Sequence, residues 1–241
     1  MNRRCGMVWI SGVLAIVGGL ANPVVAADPS ASRSNIWLPV GWEHFPDNYR
    51  EAVKKVVLSP TITAHSGPED FVSQPETYRW LLERPDRVSH AWRRLSIGCV
   101  PIEMRDDGSF HWEDDKGTCL DWRPVVVTDK GRVWYAEGLA KPGPLLPAIP
   151  LRAVAILHHD YGKNERGRPT VEHQVEIYVQ TDSTAASLVM RLLGPAAPRL
   201  AEQGAKQLLL FFAGIAKYVE AYPKEAPALL APPKNVTVSD R

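Results

Sequence analysis

The chain has 241 residues, 45% of them hydrophobic and 23% charged, and 28 Lys and Arg against 27 Asp and Glu give a formal charge of +1. That composition excludes a disordered or fibrous chain, and without a positive surplus it offers nucleic acid no electrostatic footprint. The length suits one ordinary domain with residues to spare.

The first 27 residues supply part of that surplus length. Arg3 and Arg4 precede an apolar run from Met7 to Leu20, and small residues at Val25, Ala26 and Ala27 follow, which is the three-part form of a secretory signal. Ser11, Gly12, Gly18 and Gly19 interrupt the run, which falls short of the ~20 apolar residues a membrane span needs. Cleavage and a periplasmic or secreted location are expected, with no transmembrane span left afterwards. Residues 28–58 then read as an arm and a short helix. Trp37, Trp42 and Phe45 give the arm something to dock with, and Asp47 to Val57 places Tyr49, Val53, Val56 and Val57 on one side.

Thr61 to His65 is a short β-prone run. Ser73-Gln-Pro-Glu76 has the form of a capping box and predicts a helix to Glu83, and Pro85 opens a second helix that carries Val88, Trp92 and Leu95. From Ile97 to Thr181, Asp/Gly-rich turn signals recur at strand spacing, which predicts six antiparallel strands: 100–104, 109–114, 118–127, 132–139, 151–160 and 170–181. A three-residue loop at Asp115-Lys-Gly117 would pair Trp112 with Leu120 and Phe110 with Trp122. In the last strand Val171, His173, Val175, Ile177 and Val179 alternate with polar residues, which predicts one buried and one wet face. A short helix around Ala185 to Leu193 and a long one from Pro198 to Tyr222 follow. Gly204, Leu208, Phe211, Ile215 and Val219 share one stripe of the long helix, whose centre is apolar nearly all round. The domain is expected to span 59–222, with 223–241 a flexible tail.

Cys99 and Cys119 are the two cysteines left after cleavage. An oxidising compartment favours a disulfide between them, whereas the strand register sets them about two strands apart, beyond the ~7 Å Cα limit for bridging. Both outcomes stay open at this point.

One short strand, two adjoining helices, a strand meander and a long C-terminal helix make up an element order that resembles the START-like superfamily, also called the polyketide cyclase or SRPBCC superfamily. The resemblance implies an α+β helix-grip fold: a curved antiparallel sheet of six to seven strands wrapped on the last helix, with an apolar cavity between them. It also implies a hydrophobic small molecule or lipid as partner, as in relatives that bind lipids and sterols and sometimes act on them. It carries no catalytic residue over, and no metal or cofactor is expected.

His158-His159-Asp160 is the one cluster with metal-ligand chemistry, and adjacent strand residues point to opposite faces, so only one of the two histidines can share a site with His173. His173 sits in an inward phase among valines. It is either a satisfied core histidine or the group that orients a ligand. The tryptophans, Trp134 among them, are large core residues that double as pocket lining with an N–H handle. The expected ligand-binding set is therefore His173, Val175, Ile177, Trp134, Leu208, Phe211 and Ile215. Two other readings stand beside an exported binding protein. One is an interaction module of the cell envelope, with the tryptophan-bearing arm and apolar helix meeting a partner or forming a homodimer, and the other is an enzyme using His173 as acid or base.

Overall fold

The computed structural model describes residues 36–115, 117–141, 148–181 and 197–232. The expected signal segment and the expected helix at Ala185 to Leu193 lie outside the described residues.

Alternating apolar residues between glycine turns make the sheet. Its strands are β1 (Ile62–His65), β2 (Glu69–Val72), β3 (Ile102–Met104), β4 (Phe110–Glu113), β5 (Cys119–Thr128), β6 (Gly131–Ala140), β7 (Ile149–Lys163) and β8 (Pro169–Thr181). They run in the order β1-β8-β7-β6-β5-β4-β3, with β2 also on β8, and every pair is antiparallel. Gly117 and Gly167 adopt φ of +84° and +72°, the left-handed conformation that closes their hairpins and that a residue with a Cβ resists. The expected pairs Phe110 with Trp122 and Trp112 with Leu120 are present. The sheet has eight strands, one more than the upper expectation, because β2 was missed: Ser66-Gly-Pro68 separates it from β1, and four residues carry little periodicity.

α1 (Asp47–Leu58), α2 (Pro75–Glu83), α3 (Pro85–Arg94), α4 (Ala197–Ala221) and α5 (Ala226–Leu230) complete the fold. The concave face of the curved sheet wraps α4, a helix-grip architecture. α4 is 25 residues long, and Leu209, Phe212, Ala213 and Ala216 are buried along with Phe211 and Ile215, because α2 and α3 cover the flank that the sheet leaves open. Trp92 of α3 donates its indole N–H to the carbonyl of Phe211 at 2.9 Å, and its ring lies where a Cβ on Gly214 would have to go. No helix of the described residues is long and apolar enough to cross a membrane.

Three expectations are corrected. Ser73 does not cap α2: Gln74 is the N-cap and makes no side-chain hydrogen bond, because Pro75 takes the first helical position and the Ser73 hydroxyl donates to the Gln74 carbonyl instead. The outer face of β8 is not wet throughout. Tyr178 is 5% exposed, since α1 and the arm from Ile36 to Phe45 lie across this part of the sheet and build a second core with Val133, Val154 and Ile156. The segment after Pro223 is not all frayed, for α5 buries Ala226 and Leu229, and Arg94 donates to the Leu229 carbonyl at 3.0 Å.

Candidate functional site

The concave face has two ends of opposite chemistry. Strand register places residues of one parity in rows across the sheet. One row runs Trp122, Ala136, Ala153, Val179, and the next runs Trp134, Ala155, Ile177. A third runs Trp112, Leu120, Gly138, Leu151. Bulky indoles on β4, β5 and β6 thus share these rows with alanines and a glycine on β6 and β7. Across from them α4 presents Gly204 beside Leu208, Phe211 and Phe212. A large wall set against small floor residues leaves space, and a cavity of about 120 Å³ lies there between sheet and helix. Its lining is apolar but for Asp114 and Thr118, whose polar groups are engaged: the Asp114 carboxylate accepts the Thr118 N–H at 2.8 Å, and the Thr118 hydroxyl accepts the Lys141 N–H at 3.2 Å. Trp112 is different. It is 3% exposed, it lines the cavity, and its indole Nε1 has no hydrogen-bond partner. An unsatisfied buried donor costs about 1–3 kcal/mol.

The other end, where β7 and β8 run past α2, is filled. His173 is 1% exposed, and its Nδ1 lies 2.6 Å from the Tyr78 hydroxyl. Phe71 packs edge-on to its ring at 4.9 Å. Its Nε2 faces the Glu69 carboxylate at 3.9 Å, too far for a hydrogen bond. Glu69 in turn is ion-paired with Lys217 of α4. His159 sits directly across the ladder from His173, as the alternation of His158 and His159 required, and contacts Tyr78 and Tyr161 ring to ring. Arg132, whose side chain is 4% exposed, reaches Glu83 at 3.0 Å. Burial pushes the imidazoles of His159 and His173 down to about 4, so both are neutral near pH 7. His158 points to the outer face, where the Trp37 ring covers it at 3.6 Å, and burial likewise pushes it down to about 4. Among the described residues no group of three or more His, Cys, Asp or Glu side chains is placed to hold a metal ion.

These positions divide the expected ligand set. Trp134, Ile177, Leu208 and Phe211 line the cavity. His173, Val175 and Ile215 do not: all three are fully buried in the packed core. Four residues of β8 separate His173 from Ile177, roughly 13 Å at the rise of a strand, and His173 has the partner expected of a core histidine. Ala153, Ala155, Gly204, Asp114, Thr118 and Ile102 belong to the site and escaped the sequence reading. The alternation of Leu151, Ala153 and Ala155 was a signal for them, since alanines in inward phase opposite tryptophans cannot fill a core.

Cys99 and Cys119 are both free. Cys99 follows α3, its thiol near the Ser89 hydroxyl at 3.7 Å, and burial pushes it up to about 11. Cys119 is two strands away and neighbours inward Leu120, so it faces the other side of the sheet. The two are not bridged, and Cys99 lies in the loop between α3 and β3, not on the strand where the register argument set it.

No family model matches the sequence, and no curated protein is similar to it at a significant level. Solved structures do align. A conserved protein from Geobacillus kaustophilus is 13% identical with a TM-score of 0.42, covering 68% of this chain and 97% of that one. Ara h 8.0201 is 14% identical with a TM-score of 0.39, covering 66% and 99%. Truncated norcoclaurine synthase from Thalictrum flavum is 12% identical with a TM-score of 0.34, covering 62% and 94%.

Proposed function

We propose that the protein binds a hydrophobic small molecule in the cavity between the sheet and α4, and that it does so after export, the first 27 residues serving as the signal. The observation that carries this reading is the cavity itself: about 120 Å³, lined almost wholly by apolar side chains, with the Trp112 N–H as one unpaired donor. A dry apolar cavity near 150 Å³ is known to take up benzene, so this one suits a ring or a short chain. Apolar burial drives binding, and Trp112 fixes orientation by donating to a carbonyl, ether or hydroxyl oxygen. An interaction module and an enzyme are less well supported. The arm and the apolar face of α4 are already packed against this chain's own sheet, and His173 lies outside the cavity.

Tryptophan fluorescence tests the reading, because Trp112, Trp122 and Trp134 surround the cavity. Titration with 4-phenylbutan-1-ol should perturb the emission saturably in the wild-type protein, and Ala153→Leu, which fills the void, should weaken binding at least about tenfold. Saturable binding that Ala153→Leu leaves unchanged would place the ligand elsewhere, and no binding by any apolar probe would overturn the reading.

A further inference from the structure

A second void of different character neighbours the cavity. Ile102 of β3 lines both, and Pro85, which lines the cavity, stands between Arg84 and Asp86, which line the second void. That void is an open polar groove of about 1010 Å³ between α3 and the β3–β4 hairpin. Its charged walls hold Arg84, Arg93, Arg94 and Arg105 against Asp86 and Asp106, four cations to two anions. Three of the arginines are committed: Arg84 to Asp86 at 2.7 Å, Arg94 to carbonyls of α5, and Arg105 to Asp121 at 2.6 Å. Arg93 is exposed and has no ion-pair partner among the described residues. One turn back on α3, the Nε2 of His90 is buried without a partner in the same wall. His90 titrates below its ordinary range, through burial first and then through Arg94, Arg93 and Arg87, with Asp86 opposing.

Size and charge together restrict the occupant. A cavity of about 120 Å³ takes only a ring-sized apolar group, so anything larger extends outside it, and the groove that shares Ile102 is the neighbouring void. There it meets surplus arginine, which favours carboxylate or phosphate oxygens in charge-assisted, forked hydrogen bonds. We propose that the natural ligand is an acidic amphiphile, whose apolar end fills the cavity and whose anionic head lies in the groove at Arg93 and His90. This rests on the cavity being the ligand site.

The test compares 4-phenylbutyrate with 4-phenylbutan-1-ol, which share an apolar end and differ in charge, on the full chain at low salt. The acid should bind about tenfold more tightly than the alcohol, and added salt should erode the difference. Arg93→Gln should reduce the preference to under about threefold while leaving alcohol affinity unchanged, which a collapsed fold would not do. Equal binding of acid and alcohol, or a preference that Arg93→Gln does not touch, overturns this inference and leaves the cavity reading standing. Failure of both probes to bind overturns both. Phenylbutyl phosphate and vesicles of anionic phosphatidylglycerol separate the sources of the head group: uptake of the free anions supports a soluble ligand, whereas binding to vesicles alone overturns it in favour of a membrane surface.

Discussion

The two ends of the concave face share β6, β7 and β8 and both meet α4, yet one is hollow and the other is full. At the cavity end, indoles oppose alanines and leave a dry void. At the histidine end, Tyr78, Phe71 and His173 interlock with His159 and Tyr161; Tyr78 and His173 share a hydrogen bond, whereas both ring nitrogens of His159 are buried without a partner. The histidines that attract attention in the sequence are packed into filled regions, and the void lies where alanine and glycine stand among larger apolar side chains. Buried polar groups need partners, whereas a void needs the absence of side-chain volume.

The largest expected effect lies at the full end. His159 and His173 there, and His158 on the outer face of the same strand as His159, are all held near 4 by burial, below the ordinary histidine value of about 6.5, so between those values the unfolded chain takes up protons that the folded one refuses. Stability should be fully present above pH ~6.5 and fall as pH drops towards 4, by up to about 1.4 kcal/mol per pH unit for each histidine. Chemical denaturation at pH 7.0, 5.5 and 4.5 measures this. A flat profile would mean that these imidazoles are open to water.

Side-chain volume should separate the two ends next. Val175→Leu adds one carbon where the core is closed and should cost about 1–3 kcal/mol by overpacking. Ala153→Leu adds three carbons at the cavity, yet it should change stability by less than about 1 kcal/mol, because the void receives them. Equal losses from thermal melts of the two variants would erase the distinction between the ends. Tyr78→Phe leaves the buried His173 Nδ1 unpaired and should cost about 1–3 kcal/mol while apolar probe binding survives unchanged. Loss of probe affinity in Tyr78→Phe without loss of fold would tie the histidine end to the ligand after all. The smallest effect is expected at the cavity's one polar handle. Trp112→Phe should weaken an oxygen-bearing probe about fivefold and leave a pure hydrocarbon unaffected, an energy of about 1 kcal/mol that competition titrations resolve.

Much of the architecture was legible along the chain because it is written in local periods. Turn signals and β-prone runs found seven of the eight strands, glycine turns fixed the Trp112 and Leu120 register, and the stripe on α4 located the gripped helix to within one residue at each end. The failures are equally local in cause. β2 is too short to show a period, Pro75 displaces the cap expected of Ser73, and Tyr178 looks solvent-facing until the arm covers it. Of the expected ligand residues, Trp134, Ile177, Leu208 and Phe211 lie where the cavity is, and Val175 and Ile215 do not, although they occupy the same faces of the same elements.

By itself the sequence determined which residues point inward, since that depends on spacings of two along a strand and of three and four along a helix. Only the tertiary structure decided where the interior is left empty. Whether Ala153 is ordinary core or cavity floor depends on Ala136 and Val179 beside it and on α4 above it, brought together from distant parts of the chain. The same holds for charge. The chain's +1 suggests no electrostatic partner, yet folding gathers four arginines and two aspartates around one groove and leaves Arg93 without an ion pair among the described residues, because net charge is a sum and a binding field is an arrangement.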